Sequence, residues 1–213
     1  MNLPGADKTM IKKNSADWVK PGIVLVASST GGPMALESIL PKLSGDFPVP
    51  VLVVQHMLMQ FIQTLANSLD MKSSLRVKVA ENRETISAGS VYIAPGGVHM
   101  KLDSRKRIRF DESPPINGVR PAADILFESV AESFTAQGVL AVILTGMGRD
   151  GVNGLARLKE KHKCFCLAQS EETCVVYGMP RAVVEAGYAD MILDLDKIPA
   201  EIELLTFARK RDE

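Results

Sequence analysis

The sequence predicts an α/β fold: a doubly wound, mostly parallel sheet with helices on both faces and a small antiparallel hairpin. Three observations carry this. Short β-branched apolar runs such as Ile23-Val24-Leu25-Val26-Ala27 lack polar alternation, as expected of strands buried on both faces. Segments with helical spacing fall between these runs, so strand and helix alternate along the chain. The length of 213 residues suits one such domain.

The elements follow in order. Residues 1–21 are polar and irregular, with scattered lysines and Trp18, and read as a flexible tail or linker remnant. Residues 22–213 read as the folded domain. Ile23–Ala27 is the first strand. Gly31-Gly32-Pro33 opens a helix running to Leu43, with Pro33 suited to a first helical position. Val49–Val54 is a second buried strand. Phe61, Leu65 and Leu69 share one helical face. Val91–Ile93 is a short strand. Val98–Leu102 and Arg107–Phe110 flank a polar turn and predict a hairpin. Pro121 starts a helix that runs to about Phe134. Val139–Leu144 is another strand, Gly151–Lys161 a helix and Cys164–Ala168 a strand. Pro180–Ala186 and Pro199–Arg209 complete the set as helices.

Composition excludes several classes. Apolar residues make up 46% and charged residues 23%, the balance of an ordinary globular chain. Twenty-five basic and 25 acidic residues leave no net charge to draw nucleic acid or an anionic membrane. No apolar run approaches the roughly 20 residues that span a bilayer, and Met1 to Lys20 lacks the apolar core of a secretory signal. Three clustered cysteines, Cys164, Cys166 and Cys174, suit a reducing cytoplasm better than a disulfide framework. His162 lies near them, but no C-x-x-C pair does, so they read as buried thiols and no metal is expected.

In an open parallel sheet, functional groups collect beyond the carboxyl ends of the strands. Three such ends carry reactive side chains here: Ser28-Ser29-Thr30-Gly31-Gly32, Gln55-His56-Met57, and Thr145 to Gly151 with Asp150. A serine hydroxyl needs an adjacent base, a histidine can take and return its proton, and a carboxylate orients the histidine. Gly31 and Gly32 allow a sharp turn that sets a serine beside a helix N-terminus, whose free N–H groups suit an oxyanion.

Each segment alone has a plainer reading: a helix cap or phosphate loop, a structural histidine, a turn aspartate. His99 and His162 compete as bases, one on a hairpin arm and one in a solvated Lys-His-Lys run. Neither phosphate-binding fingerprint, G-x-G-x-x-G or G-x-x-x-x-G-K-[ST], follows the first strand. The hydrolase elbow G-x-S-x-G is also absent, and the chain order is Ser, His, Asp. At this point either Ser28 or Ser29 could be the nucleophile.

From Ile23 to about Ile198 the sequence resembles the catalytic domain of the chemotaxis receptor methylesterase family, the CheB type. Ser28 to Pro33, Val54 to Met57, Tyr92 to Gly96 with His99-Met100, Pro114-Pro115, Arg120-Pro121 and Asp124 to Phe127 with Ser129-Val130 carry the likeness. Ile143 to Gly151 and Thr173 to Pro180 complete it. The resemblance implies Ser29 as nucleophile, His56 as base and Asp150 as acid. Met147 and Thr30 would line the site, Met147 through its backbone beside the oxyanion. Residues 22–213 would be the methylesterase catalytic domain, cleaving glutamate γ-methyl esters to glutamate and methanol in chemotaxis adaptation. Some members also deamidate glutamine.

The resemblance implies no cofactor and no metal. It implies cytoplasmic helices of methyl-accepting chemotaxis receptors as partners, with no nucleic acid, no membrane insertion and a cytoplasmic, monomeric enzyme. Arg120 and Arg149 are candidates to attract acidic receptor helices or, equally, to be structural ion-pair partners. Family members commonly carry a phosphorylatable receiver ahead of this domain. Residues 1–21 leave no room for one, so control by an attached receiver is not expected. Two alternatives are a nucleotide- or phosphate-binding doubly wound domain and a non-catalytic scaffold that docks on receptors.

Overall fold

A computed structural model of the chain describes residues 9–10, 19–134 and 138–207. The first elements are β1 (Thr9–Met10), β2 (Pro21–Ser28), α1 (Gly32–Ile39), β3 (Val51–Gln55), α2 (Met59–Lys72), β4 (Arg76–Val79) and β5 (Ser90–Ile93). A hairpin follows, β6 (His99–Leu102) and β7 (Ile108–Asp111), then α3 (Ala123–Ser133) and β8 (Gly138–Ile143). The last are α4 (Val152–Lys161), β9 (Cys164–Gln169), α5 (Met179–Glu185), β10 (Met191–Leu193) and α6 (Ile198–Phe207).

One eight-stranded sheet runs β1-β10-β9-β8-β2-β3-β5-β4, while β6 and β7 pair separately and antiparallel. Within the large sheet, only β1 against β10 is antiparallel. The predicted fold class is the observed one.

Strand β2 explains why the sheet is covered twice. Ile23, Leu25 and Ala27 point into a core with α3, α4, α5 and the hairpin, through Phe127, Leu155, Val183 and Met100. Val24 and Val26 point into the other core, with α1, α2 and α6, through Leu36, Leu65 and Ile202. Successive strand side chains face opposite ways, so an uninterrupted apolar run has to be buried on both sides. Each fully buried Leu, Ile or Val contributes about 1.5–3 kcal/mol.

The differences from the predicted elements are local. The first helix stops at Ile39 and tightens into a 3-10 turn over Leu40–Lys42, because Pro41 has no N–H to continue the α-helical ladder. Helix α2 is longer at both ends than its apolar stripe. Strands β4 and β10 were not predicted. Arg76-Val77-Lys78-Val79 is an edge strand whose alternation is half charged, and Met191–Leu193 is only three residues long. Of the predicted tail, Thr9–Met10 pair with β10 and Pro21 opens β2; residues 1–8 and 11–18 lie outside the described residues. The end of the last predicted helix, from Ala208 to Arg209, also lies outside them. Cys166 is buried, whereas Cys164 and Cys174 are only half-buried, since each stands at an end or beyond a strand.

Candidate active site

The sheet order reverses around β2: the chain first builds β3, β5 and β4 on one side, then crosses to β8 on the other. Ser29 follows β2, His56 follows β3, and Asp150 lies in the loop after β8. The three predicted residues therefore leave three adjacent strands at the same edge, where open α/β sheets carry their sites.

Ser28 and Ser29 have different fates. Ser28 is fully buried, paired in register with Gln55, and its hydroxyl donates to Gln55 Oε1 at 2.6 Å. Ser29 is partly exposed, and its hydroxyl makes no hydrogen bond with another described residue. Its backbone is held instead. Ser29 N–H donates to Thr145 O at 3.0 Å, and its carbonyl accepts from Gly32 N–H at 2.8 Å. The turn depends on close approaches. Gly31 has φ +82°, and a Cβ on Gly146 would lie 2.7 Å from Ser29 Cβ.

His56 Nε2 bonds Asp150 Oδ2 at 2.8 Å. A carboxylate only accepts, so Nε2 carries a proton in this bond, and in the neutral ring Nδ1 is the acceptor. Asp150, 3% exposed, is also held by the start of α3: Oδ2 accepts from Ala123 N–H at 2.6 Å and Oδ1 from Asp124 N–H at 3.0 Å. Helix N-terminal amides and the helix dipole both favour a carboxylate there.

Asp124 returns the arrangement. Its Oδ1 accepts from Gly151 N–H at 2.9 Å and Gly154 N–H at 2.8 Å, at the start of α4. Each helix is thus capped by the acid preceding or opening the other. Asp124 is 2% exposed and its Oδ2 has no hydrogen-bond partner. Burial pushes its pKa up from 3.8 to about 6, opposed by the Gly154 and Gly151 amides and reinforced by the charge of Asp150.

The competing histidines are engaged elsewhere. Buried His99 donates from Nε2 to Pro114 O and accepts Ala122 N–H at Nδ1, each at 3.1 Å, so both ring nitrogens are occupied. His162 Nε2 bonds Ala131 O at 2.9 Å. Thr30 and Met147 are exposed at the rim, and the backbone amides of both donate to no described residue. Arg120 bonds the carbonyls of Glu112 and Ser113. Arg149 is exposed and lines a cleft of about 460 Å³ with Gly178 and Arg181; neither Ser29 nor His56 lines it. Among the described residues, no group of three His, Cys, Asp or Glu side chains could hold a metal ion.

Sequence reasoning assigned no role to Gln55, Asp124 or Thr145. Thr145 Oγ1 donates to Thr30 O and accepts Val176 N–H, both at 2.9 Å, which ties the two rim segments together. Only Gln55 left a signal: a polar residue closing an otherwise apolar strand beside His56.

Residues 24–202 match the family described as CheB methylesterase. The chain belongs to the CheB methylesterase family. A Geobacillus kaustophilus protein named protein-glutamate methylesterase/protein-glutamine glutaminase is 49% identical over 183 residues, covering 84% of this chain and 52% of that protein. A Thermotoga maritima protein of the same name is 46% identical, covering 84% of this chain and 53% of its own length. The crystal structure of the Thermotoga maritima CheB methylesterase catalytic domain superposes with a TM-score of 0.81 at 45% identity, covering 86% of this chain and 98% of that one. This CheB-family chain spans about half the length of the curated relatives it matches.

Proposed function

We propose that residues 22–213 form a serine hydrolase domain that cleaves glutamate γ-methyl esters on the cytoplasmic helices of bacterial chemoreceptors. Glutamine deamidation in the same helices is its second activity. The observation that carries this reading is the His56–Asp150 pair at 2.8 Å, at the same sheet edge where the partly exposed Ser29 follows β2, in a family whose relatives bear the names above.

Ser29 Oγ attacks the ester carbonyl while His56 Nδ1 takes its proton, and Asp150 stabilises the resulting imidazolium. The tetrahedral oxyanion faces the amides of Thr30 and Met147. Collapse expels methanol, protonated by His56, and leaves a glutamyl ester on Ser29. Water, activated by His56, then releases glutamate and restores the serine. For glutamine the leaving group is ammonia. The reading places the enzyme in the cytoplasm; among the described residues no helix is long and apolar enough to cross a membrane.

The phosphate-binding alternative fits less well, because neither glycine-rich phosphate fingerprint follows β2. The test is methanol release from methylated receptor membranes, with fluorophosphonate labelling read by peptide mass spectrometry. Ser29→Ala is expected to lose on the order of 10⁴ to 10⁶ in rate and all labelling. Ser28→Ala is expected to keep most of both. Equal residual activity in the two variants sinks the assignment, and saturable nucleotide binding without labelling favours the alternative.

A further inference from the structure

We infer that Gln55 is a positioning residue that sets the distance between nucleophile and base through the two N–H bonds of its side-chain amide. The inference rests on the assignment of Ser29 and His56 proposed above. Gln55 is 1% exposed and closes β3 after four apolar residues, Val51 to Val54. A buried amide is costly unless its hydrogen bonds are made, and here they are. Oε1 accepts the Ser28 hydroxyl at 2.6 Å, and Nε2 donates to Ser29 O and to His56 O, each at 2.9 Å. Carbonyl oxygens only accept, so the amide has one orientation consistent with its surroundings.

The location gives these bonds their consequence. The β2–β3 register ends at Ser28 opposite Gln55, and the last backbone bond across the pair runs from His56 N–H to Ser28 O at 3.0 Å. Ser29 and His56 each lie one residue past the registered pairs, where their N–H groups are still bonded but β2 and β3 offer no further backbone donor to their carbonyls. A single amide reaches over that end and grips both carbonyls. The first turn of α1 is shaped around it, since a Cβ on Gly32 would overlap Gln55 Oε1. The strand pair does not need this amide in order to form. Five registered pairs, Val24 to Ser28 against Val51 to Gln55, already join it, and an apolar residue would continue the buried pattern.

The test compares Gln55→Glu with Ser28→Ala in the full chain, using methanol release, fluorophosphonate labelling of Ser29 and thermal unfolding. Glutamate keeps the shape and can still accept from Ser28, but even protonated it has a single O–H, so it cannot donate to both Ser29 O and His56 O. The expected result is a kcat about 10- to 100-fold lower, from misplaced reacting groups. KM should stay within about two-fold and labelling should slow in step, because binding is untouched. Ser28→Ala retains both Nε2 donors, and its kcat should stay within about three-fold of the parent. A folded Gln55→Glu with parental kcat overturns the inference, as does an equal loss in both variants. Should Gln55→Glu fail to fold, Gln55→Met, of similar volume and without donors, is judged by the same criterion. An active Ser29→Ala would instead overturn the site assignment itself, so the two failures are distinguishable.

Discussion

The two halves of the candidate site are held by different parts of the fold. Ser29 and His56 leave adjacent strands, and their backbones are joined by the ladder and by Gln55. Asp150 sits in a loop, and its carboxylate is held by the first turn of α3, while Asp124 of α3 holds the start of α4. On the strand side, positioning is added to a sheet that would stand without it. On the helix side, the bonds that orient Asp150 also cap α3, and Asp124 of that same first turn caps α4. Changes on the first side should therefore move rate with little change in stability, whereas changes on the second should move both together.

The largest break in that comparison is Asp150→Asn. An asparagine cannot accept from His56, Ala123 and Asp124 together with the charge that orients the imidazole, and kcat should fall about 10⁴-fold. Thermal unfolding should show a loss of stability as well. A variant as stable as the parent would separate orientation from capping and contradict the coupling drawn here.

Asp124 sharpens the helix side through pH. Its pKa is raised from 3.8 to about 6, so between these values the native state holds a proton that the unfolded chain releases. Stability from this group is full below about pH 4 and is lost as pH rises through about 6, a total of about 3 kcal/mol. Roughly 2 kcal/mol of that falls between pH 4.5 and 7.5. Asp124→Asn keeps an acceptor for Gly151 and Gly154 but cannot titrate. Urea unfolding at the two pH values should show the parent's difference shrinking in the variant by about that amount. An unchanged difference would assign the slope to other groups.

Gly146→Ala probes the strand side. Its Cβ would stand 2.7 Å from Ser29 Cβ and 2.5 Å from Met179 Sδ, so Ser29 has to shift. The expected loss in kcat is about 10²-fold, or about 2.7 kcal/mol in the barrier. Intact activity would mean that the serine tolerates displacement.

The smallest expected effect lies outside both halves. Arg149 is exposed on the rim, and Arg149→Ala should lower the rate on methylated receptor a few-fold at low salt and less at high salt. A salt-independent change would argue against attraction of an acidic helix.

Much of this was legible from short-range pattern. Ile23–Ala27 and Val139–Leu144 announce strands buried on both faces because every side chain is apolar, and polar residues appear where those strands leave the sheet. Those positions nominate a serine of the Ser28-Ser29 pair, His56 and Asp150, and only the family resemblance favours Ser29 over Ser28. What was not legible depends on distance in the chain. Asp150 is held by amides 26 and 27 residues away, and Asp124 looks in the sequence like any acid in a helix's first turn. Strand β4 leaves no such pattern because its lysine and arginine break the apolar run at a sheet edge.

By itself, then, the sequence determined the layered α/β architecture and brought a serine, a histidine and an aspartate to one edge of a sheet, because burial on two faces constrains composition residue by residue. Only the tertiary structure decided that Ser28 is buried against Gln55 while Ser29 is open, that His99 has both ring nitrogens engaged, and that Asp150 and Asp124 cap each other's helices. Those outcomes turn on which hydrogen-bonding group is left unpaired once the chain has folded. That depends on partners brought together by the sheet order, and no local pattern records them.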